Sequence, residues 1–109
     1  ISGVYCSGIG ASMYSATKGA INGMVKGMAL DLAPKGIRVN CVNPGVVNTR
    51  IFESGVLTLE QLEQEKHKYP LKRFGNPEEV AFAVIYLLSD TTRWITGTNL
   101  LIDGGFTLM

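Results

Sequence analysis

The sequence predicts an α/β fold built on parallel strands, and three features predict it. A long segment, Ser12 to Ala33, carries apolar residues at helical spacing and is followed by a β-branched run, Ile37 to Val42. Ile1-Ser2, ahead of that helix, reads as the end of another strand. Strand, helix and strand then form a βαβ unit, which implies parallel pairing and a right-handed crossover. Further on, a second helix signal at Asn76-Pro77 precedes a final short strand, Asn99 to Ile102.

Each element has a local cause. Gly3 to Ala11 is a loop of small residues rich in glycine. In the helix that follows, Met13, Ala16, Ala20, Met24, Met28 and Leu32 recur every three to four residues. Ser12 is its candidate N-cap, and Pro34 with Gly36 ends it. Gly19, Gly23 and Gly27 fall on one stripe and predict close approach of another backbone. Pro44-Gly45 turns the chain after the β-branched run. Thr58 with Gln61 makes a capping box for a short helix, Leu59 to Lys68, whose charges form a solvated face. Pro70 stops it. Asn76-Pro77-Glu78-Glu79 supplies an N-cap, a proline in the first turn and acidic residues near the helix start. That helix runs to about Ser89, and Trp94 to Gly97 turns the chain into the last strand.

Composition narrows the function. The 109 residues suggest one small domain. A net charge of +1 gives no electrostatic basis for binding nucleic acid or an anionic membrane. The longest apolar run, Val80 to Leu88, is too short to span a bilayer. Two cysteines without a CxxC pair, and a single histidine, argue against a metal site and a disulfide framework. Cys6 and Cys41 read as small core residues in a reducing, cytoplasmic setting. No signal peptide is visible. The abrupt start at Ile1 suggests a piece of a longer polypeptide.

The chemistry concentrates at Tyr14 and Lys18. Four residues apart on a helix, they share one face, one turn from each other. An ammonium one turn from a phenol stabilises the phenolate, which suits the phenol to give or take a proton.

Five stretches carry a family resemblance: Tyr14-Ser-Ala-Thr-Lys18-Gly-Ala; Gly36-Ile-Arg-Val-Asn40-Cys-Val-Asn-Pro44-Gly45-Val-Val-Asn-Thr49; Phe74-Gly-Asn-Pro-Glu-Glu-Val80-Ala; Ile95-Thr-Gly97; and Ile102-Asp-Gly-Gly105. In this order, over essentially the whole chain, they resemble the C-terminal half of the classical short-chain dehydrogenase/reductase family. The resemblance implies a Rossmann-type doubly wound parallel sheet of which only the C-terminal part is present. Residues 1–109 would be the catalytic and substrate-binding half of a single domain. It implies hydride transfer between NAD or NADP and a small carbonyl or alcohol substrate. By the same resemblance Tyr14 is the catalytic acid/base and also a cofactor-binding residue. Lys18 assists it and binds the nicotinamide ribose. Pro44 and Gly45 form the cofactor-side turn. The Val47 backbone faces the carboxamide, and the Thr49 hydroxyl bonds the carboxamide or pyrophosphate. Ser2 is chosen as the residue orienting the substrate oxygen, although it stands twelve residues before Tyr14, one short of the usual spacing; Ser7 and Ser12 are its rivals. Arg50 to Leu71 correspond to the variable substrate loop and lid, with Ile51, Phe52 and Leu57 lining an apolar pocket and His67 facing solvent.

Some parts of the family pattern are absent. The sequence holds no GxxxGxG, and Gly8-Ile-Gly10 is too short and wrongly placed for a dinucleotide loop. The residue that separates NAD from NADP is missing too, so phosphate preference stays open. The chain on its own is expected neither to bind cofactor nor to turn over. Two readings follow: a carbonyl reductase or alcohol dehydrogenase, or a non-catalytic relative that acts only in assembly. A homodimer or homotetramer is expected, with the Tyr14 helix and its glycines against a second copy.

Overall fold

The structure, a computed structural model, describes residues 9–49 and 58–109. The expected first strand at Ile1-Ser2 lies outside the described residues. Helix α1 spans Ser12–Leu32 and passes through a 3-10 turn, Ala33–Lys35, into Gly36, whose positive φ of 71° ends the helical run. Strand β1 is Cys41–Pro44, α2 is Leu59–His67, α3 is Pro77–Leu88 and β2 is Asn99–Ile102. Short 3-10 turns follow α3 (Asp90–Thr92) and β2 (Phe106–Leu108).

The two strands pair in parallel, with Cys41 opposite Asn99 and Pro44 opposite Ile102. Successive side chains on a strand point to opposite faces, and the helices divide accordingly. Cys41 meets Asn22 of α1, whereas Val42 lies in a recess with Val84, Leu87 and Leu88 of α3. α1 and α3 therefore cover opposite faces of the pair, a fragment of a doubly wound α/β sheet.

Two expectations need correcting. Ile37 to Asn40 is not strand. The Val39 N–H donates to Thr96 Oγ1 (3.1 Å), the Asn40 amide donates to the Ile95 carbonyl (3.0 Å), and its oxygen accepts from the Thr98 N–H (3.1 Å). Side chains thus take up hydrogen-bonding positions that a regular ladder would use, and the strand starts only at Cys41. Ser12 does not cap α1 either. The Ala11 carbonyl accepts from the Ser15 N–H (2.8 Å), which makes Ala11 the cap and Ser12 the first helical residue.

The other helix ends follow their sequence signals. Thr58 and Gln61 form the reciprocal capping box of α2 (3.2 and 2.8 Å), and Pro77 opens α3 after Asn76. α2 buries no residue and carries the ion pairs Lys66–Glu63 and Lys68–Glu65 on its solvated surface. Val25 and Ala29 are the buried residues of α1, so the sheet-facing stripe is not the one marked by Met13, Met24 and Met28, which are exposed. A Cβ on Gly23 or Gly27 would meet nothing within 4 Å, leaving that stripe open among the described residues. No helix of the described residues is long and apolar enough to cross a membrane.

Candidate active site

α1 presents Tyr14 and Lys18 together. The Lys18 ammonium lies over the Tyr14 ring, 5.4 Å from its centroid, within the range of a cation–π contact. Tyr14 is 57 % exposed, so its phenol is open to a ligand. The position of the helix against the sheet is set two turns further along. Asn22 Oδ1 accepts from the Cys41 thiol (3.6 Å), and the Asn22 carbonyl accepts from Asn99 Nδ2 (3.4 Å). One residue thereby connects α1 to both strands.

The second part of the site is the turn beyond β1. The Gly45 N–H donates to the Ile102 carbonyl (3.0 Å), closing the parallel pair. Close packing favours glycine here: a Cβ would stand 3.1 Å from Asp103 Cα and 3.3 Å from Tyr69 Cε1, so its neighbours would have to give way. Past it, Val47 pairs with Gly75 as an isolated parallel bridge. The Val46 carbonyl accepts from the Gly75 N–H (3.0 Å), and the Asn48 N–H donates to the Gly75 carbonyl (2.8 Å). In a parallel bridge of this kind the central residue directs its own N–H and C=O to the other side. The Val47 backbone groups therefore point away from Gly75. Thr49 follows at the end of this stretch and is exposed.

Below the turn lies a cleft of about 450 Å³ lined by Val46, Tyr69, Leu71, Arg73, Asp103 and Gly104, among others. Its floor is ordered by buried aromatic rings. Tyr69 is 4 % exposed, stands edge-on to Phe74 (centroids 5.8 Å) and leans on Phe106 (5.0 Å). Its hydroxyl accepts from the Val46 N–H (3.3 Å). Burial, helped by the nearby Glu65 and Asp103 carboxylates, pushes this hydroxyl above the ordinary tyrosine value despite the Val46 N–H, so it is a neutral acceptor at neutral pH. Burial also opposes ionisation of Asp103. The Thr107 N–H and hydroxyl and the Gly105 N–H outweigh it and hold that carboxyl below its usual value. Arg73 is paired with Glu79 at the edge of the cleft.

The residues singled out by sequence are thus distributed over two elements. Tyr14 and Lys18 share a face of α1. Pro44, Gly45, Val47 and Thr49 follow one another at the carboxyl end of β1, where ligands of open α/β sheets bind. Ser2, its rival Ser7 and the apolar positions Ile51, Phe52 and Leu57 lie outside the described residues. Ser12 is exposed at the start of α1, and His67 is exposed at the end of α2. Sequence reasoning missed Tyr69. The only signal was an aromatic residue between a helix end and Pro70, and its partners Val46 and Phe106 lie 23 and 37 residues away.

Comparison with known proteins agrees with this architecture. The family described as enoyl-(acyl carrier protein) reductase matches residues 3–107. Glucose 1-dehydrogenase 2 of Bacillus subtilis is 45% identical over 97 residues, which take in 87% of this chain and 36% of that protein. A short chain dehydrogenase family protein of Francisella tularensis has a crystal structure similar at a TM-score of 0.87 and 38% identity, covering 98% of this chain and 48% of the other. The structure of 4-hydroxyisoleucine dehydrogenase complexed with NADH gives a TM-score of 0.89 at 35% identity, covering 99% and 44%. The chain spans less than half the length of each of these relatives. Sequence match and fold lead to one conclusion: the chain belongs to the short-chain dehydrogenase/reductase family.

Proposed function

We propose that this chain is the catalytic, substrate-binding half of a nicotinamide-dependent oxidoreductase that interconverts a small carbonyl compound and its alcohol. The observation that carries the proposal is the Tyr14–Lys18 pair, exposed on a helix that Asn22 fastens to both strands, of which β1 leads into the Val47 turn. The names of the relatives support the substrate class and the cofactor: a glucose dehydrogenase, and a 4-hydroxyisoleucine dehydrogenase that holds NADH. The chain's own groups fit a nicotinamide. Val47 offers an amide N–H and a carbonyl aimed away from Gly75, matched to a carboxamide, and the Thr49 hydroxyl and the Lys18 ammonium offer further donors.

When bound, the nicotinamide supplies or takes up the hydride. Tyr14 donates its phenolic proton to the substrate oxygen in reduction and takes the alcohol proton in oxidation. Lys18 stabilises the phenolate left behind and binds the ribose hydroxyls. Ser2 orients the substrate oxygen by hydrogen bonding. NAD or NADP serves equally well in this scheme. The adenosine side of the site belongs to a preceding half with its own phosphate loop, so the 109 residues alone neither bind cofactor nor turn over. A cytoplasmic setting is part of the same proposal, since free thiols persist in reducing compartments.

The test is Tyr14→Phe in the full-length protein. The turnover rate should fall by about 10²–10⁴-fold, the usual contribution of general acid–base catalysis, while nicotinamide cofactor binding is retained. An unchanged rate would remove Tyr14 from the mechanism. A wild-type protein with no oxidoreductase activity would leave only the assembly role.

A further inference from the structure

Val46 is held by both of its backbone polar groups. Its carbonyl accepts from Gly75 (3.0 Å) and its N–H donates to the Tyr69 hydroxyl (3.3 Å). Peptide groups are planar, so the first bond sets the plane that carries the Val47 N–H, and the second sets the plane between Gly45 and Val46. Tyr69 also limits the turn sterically, because a Cβ on Gly45 would come within 3.3 Å of Tyr69 Cε1. The ring has little room to move, being buried against Phe74 and Phe106. Its backbone continues the end of α2: the Tyr69 N–H donates to the Lys66 carbonyl (3.1 Å), and the Tyr69 carbonyl accepts from Lys72 (2.9 Å).

We propose that Tyr69 is a positioning residue for the nicotinamide end of the cofactor, orienting the Gly45–Val47 backbone through its hydroxyl and ring edge and tying that backbone to the end of α2. This rests on the reading of the Val47 turn as the nicotinamide-facing backbone. The role is one of orientation more than stability. Tyr69→Phe keeps the ring packed on Phe74 and Phe106 and removes only the acceptor of the Val46 N–H, so the fold is expected to survive. The direction of the turn is what changes.

The test compares two ligands in the full-length protein: NADH or NADPH, and ADP-ribose or its 2′-phosphate, which lack the nicotinamide ring. Tyr69→Phe keeps the ring and removes the hydroxyl. It should raise the dissociation constant for the dinucleotide by about two- to tenfold, the range for one hydrogen bond, and leave that for the ADP-ribose ligand unchanged. Equal losses for both ligands would mean a merely structural role and overturn the proposal. Unchanged dinucleotide affinity would overturn it as well, with the Tyr14 mechanism untouched. A wild-type protein that binds neither dinucleotide would overturn both readings together. Should Tyr69→Phe fail to fold, hydrogen exchange of the wild-type protein still decides. The Val46 amide should be protected and become more so on adding the dinucleotide, and exchange as fast as an open loop would overturn the proposal.

Discussion

The Glu79 carboxylate meets the Arg73 guanidinium through two bonds (2.7 and 2.8 Å) and the Asn76 N–H through a third (2.8 Å). The Arg73 bond, with the help of the Asn76 N–H, lowers its pKa from 4.5 to about 2. The folded chain therefore holds this proton less tightly than the unfolded chain does. The stabilisation is complete above pH 4.5 and is lost as pH falls toward about 2. Melting temperatures of wild type and Glu79→Gln should differ most above pH 4.5 and converge as pH approaches 2; a constant difference would show that ionised Glu79 adds nothing. At this scale the sequence was most legible where partners are close along the chain. The Thr58–Gln61 box and the Asn76-Pro77 start are three-residue matters of backbone geometry. Tyr69 was invisible because burial and the Val46 contact arise only when distant segments meet. Ser12 misled because any carbonyl can accept the first helical bond, and here Ala11 does so.

Among the elements, α3 has the most heavily supported end. Arg38, from the segment before β1, donates to the Leu87 carbonyl (2.7 Å) and to the Ile95 carbonyl (2.9 Å). This places a cation at the negative end of the helix dipole. Thr92 is 1 % exposed, and its hydroxyl lies 2.9–3.0 Å from the carbonyls of Tyr86, Leu87 and Ser89. Thr92→Val keeps the shape and removes the donor, so it should cost about 1–3 kcal/mol; chemical denaturation would measure it, and a loss below the experimental error would show that Arg38 suffices. The presence of helices α1, α2 and α3 was legible because helical spacing and helix-stopping residues are local properties, although the cap and the buried stripe of α1 were not. The Ile37–Asn40 run was not, since its β-branched residues suit a strand while its hydrogen bonds go to the 95–98 loop.

For the molecule as a whole, apolar area is left uncovered. Met13, Met24 and Leu30 on α1 and Phe82, Ile85 and Leu88 on α3 are all exposed, as is Trp94. With the open stripe at Gly23 and Gly27, these faces support the proposal that the full-length protein is a homodimer or homotetramer through α1. Light scattering should give a multiple of the monomer mass, and Gly23→Leu with Gly27→Leu should shift it toward the monomer; a strictly monomeric wild type would refute the assembly. The parallel pairing expected between Ile1-Ser2 and Ile37–Val42 lies partly outside the described residues; the parallel pair described is β1 with β2. The covering of its opposite faces was not legible, because it depends on how Cys41 and Val42 alternate against α1 and α3.

Asn22 fixes more than the seat of a helix. The arc between it and Tyr14 acts as a gear of set pitch, in which each residue advances the direction of the phenol by about 100° around the axis. Inserting or deleting a single residue there would leave the helix, its packing and the strands intact, yet swing the phenol to another side of the cylinder. Length in that short arc is therefore under tighter constraint than side-chain identity.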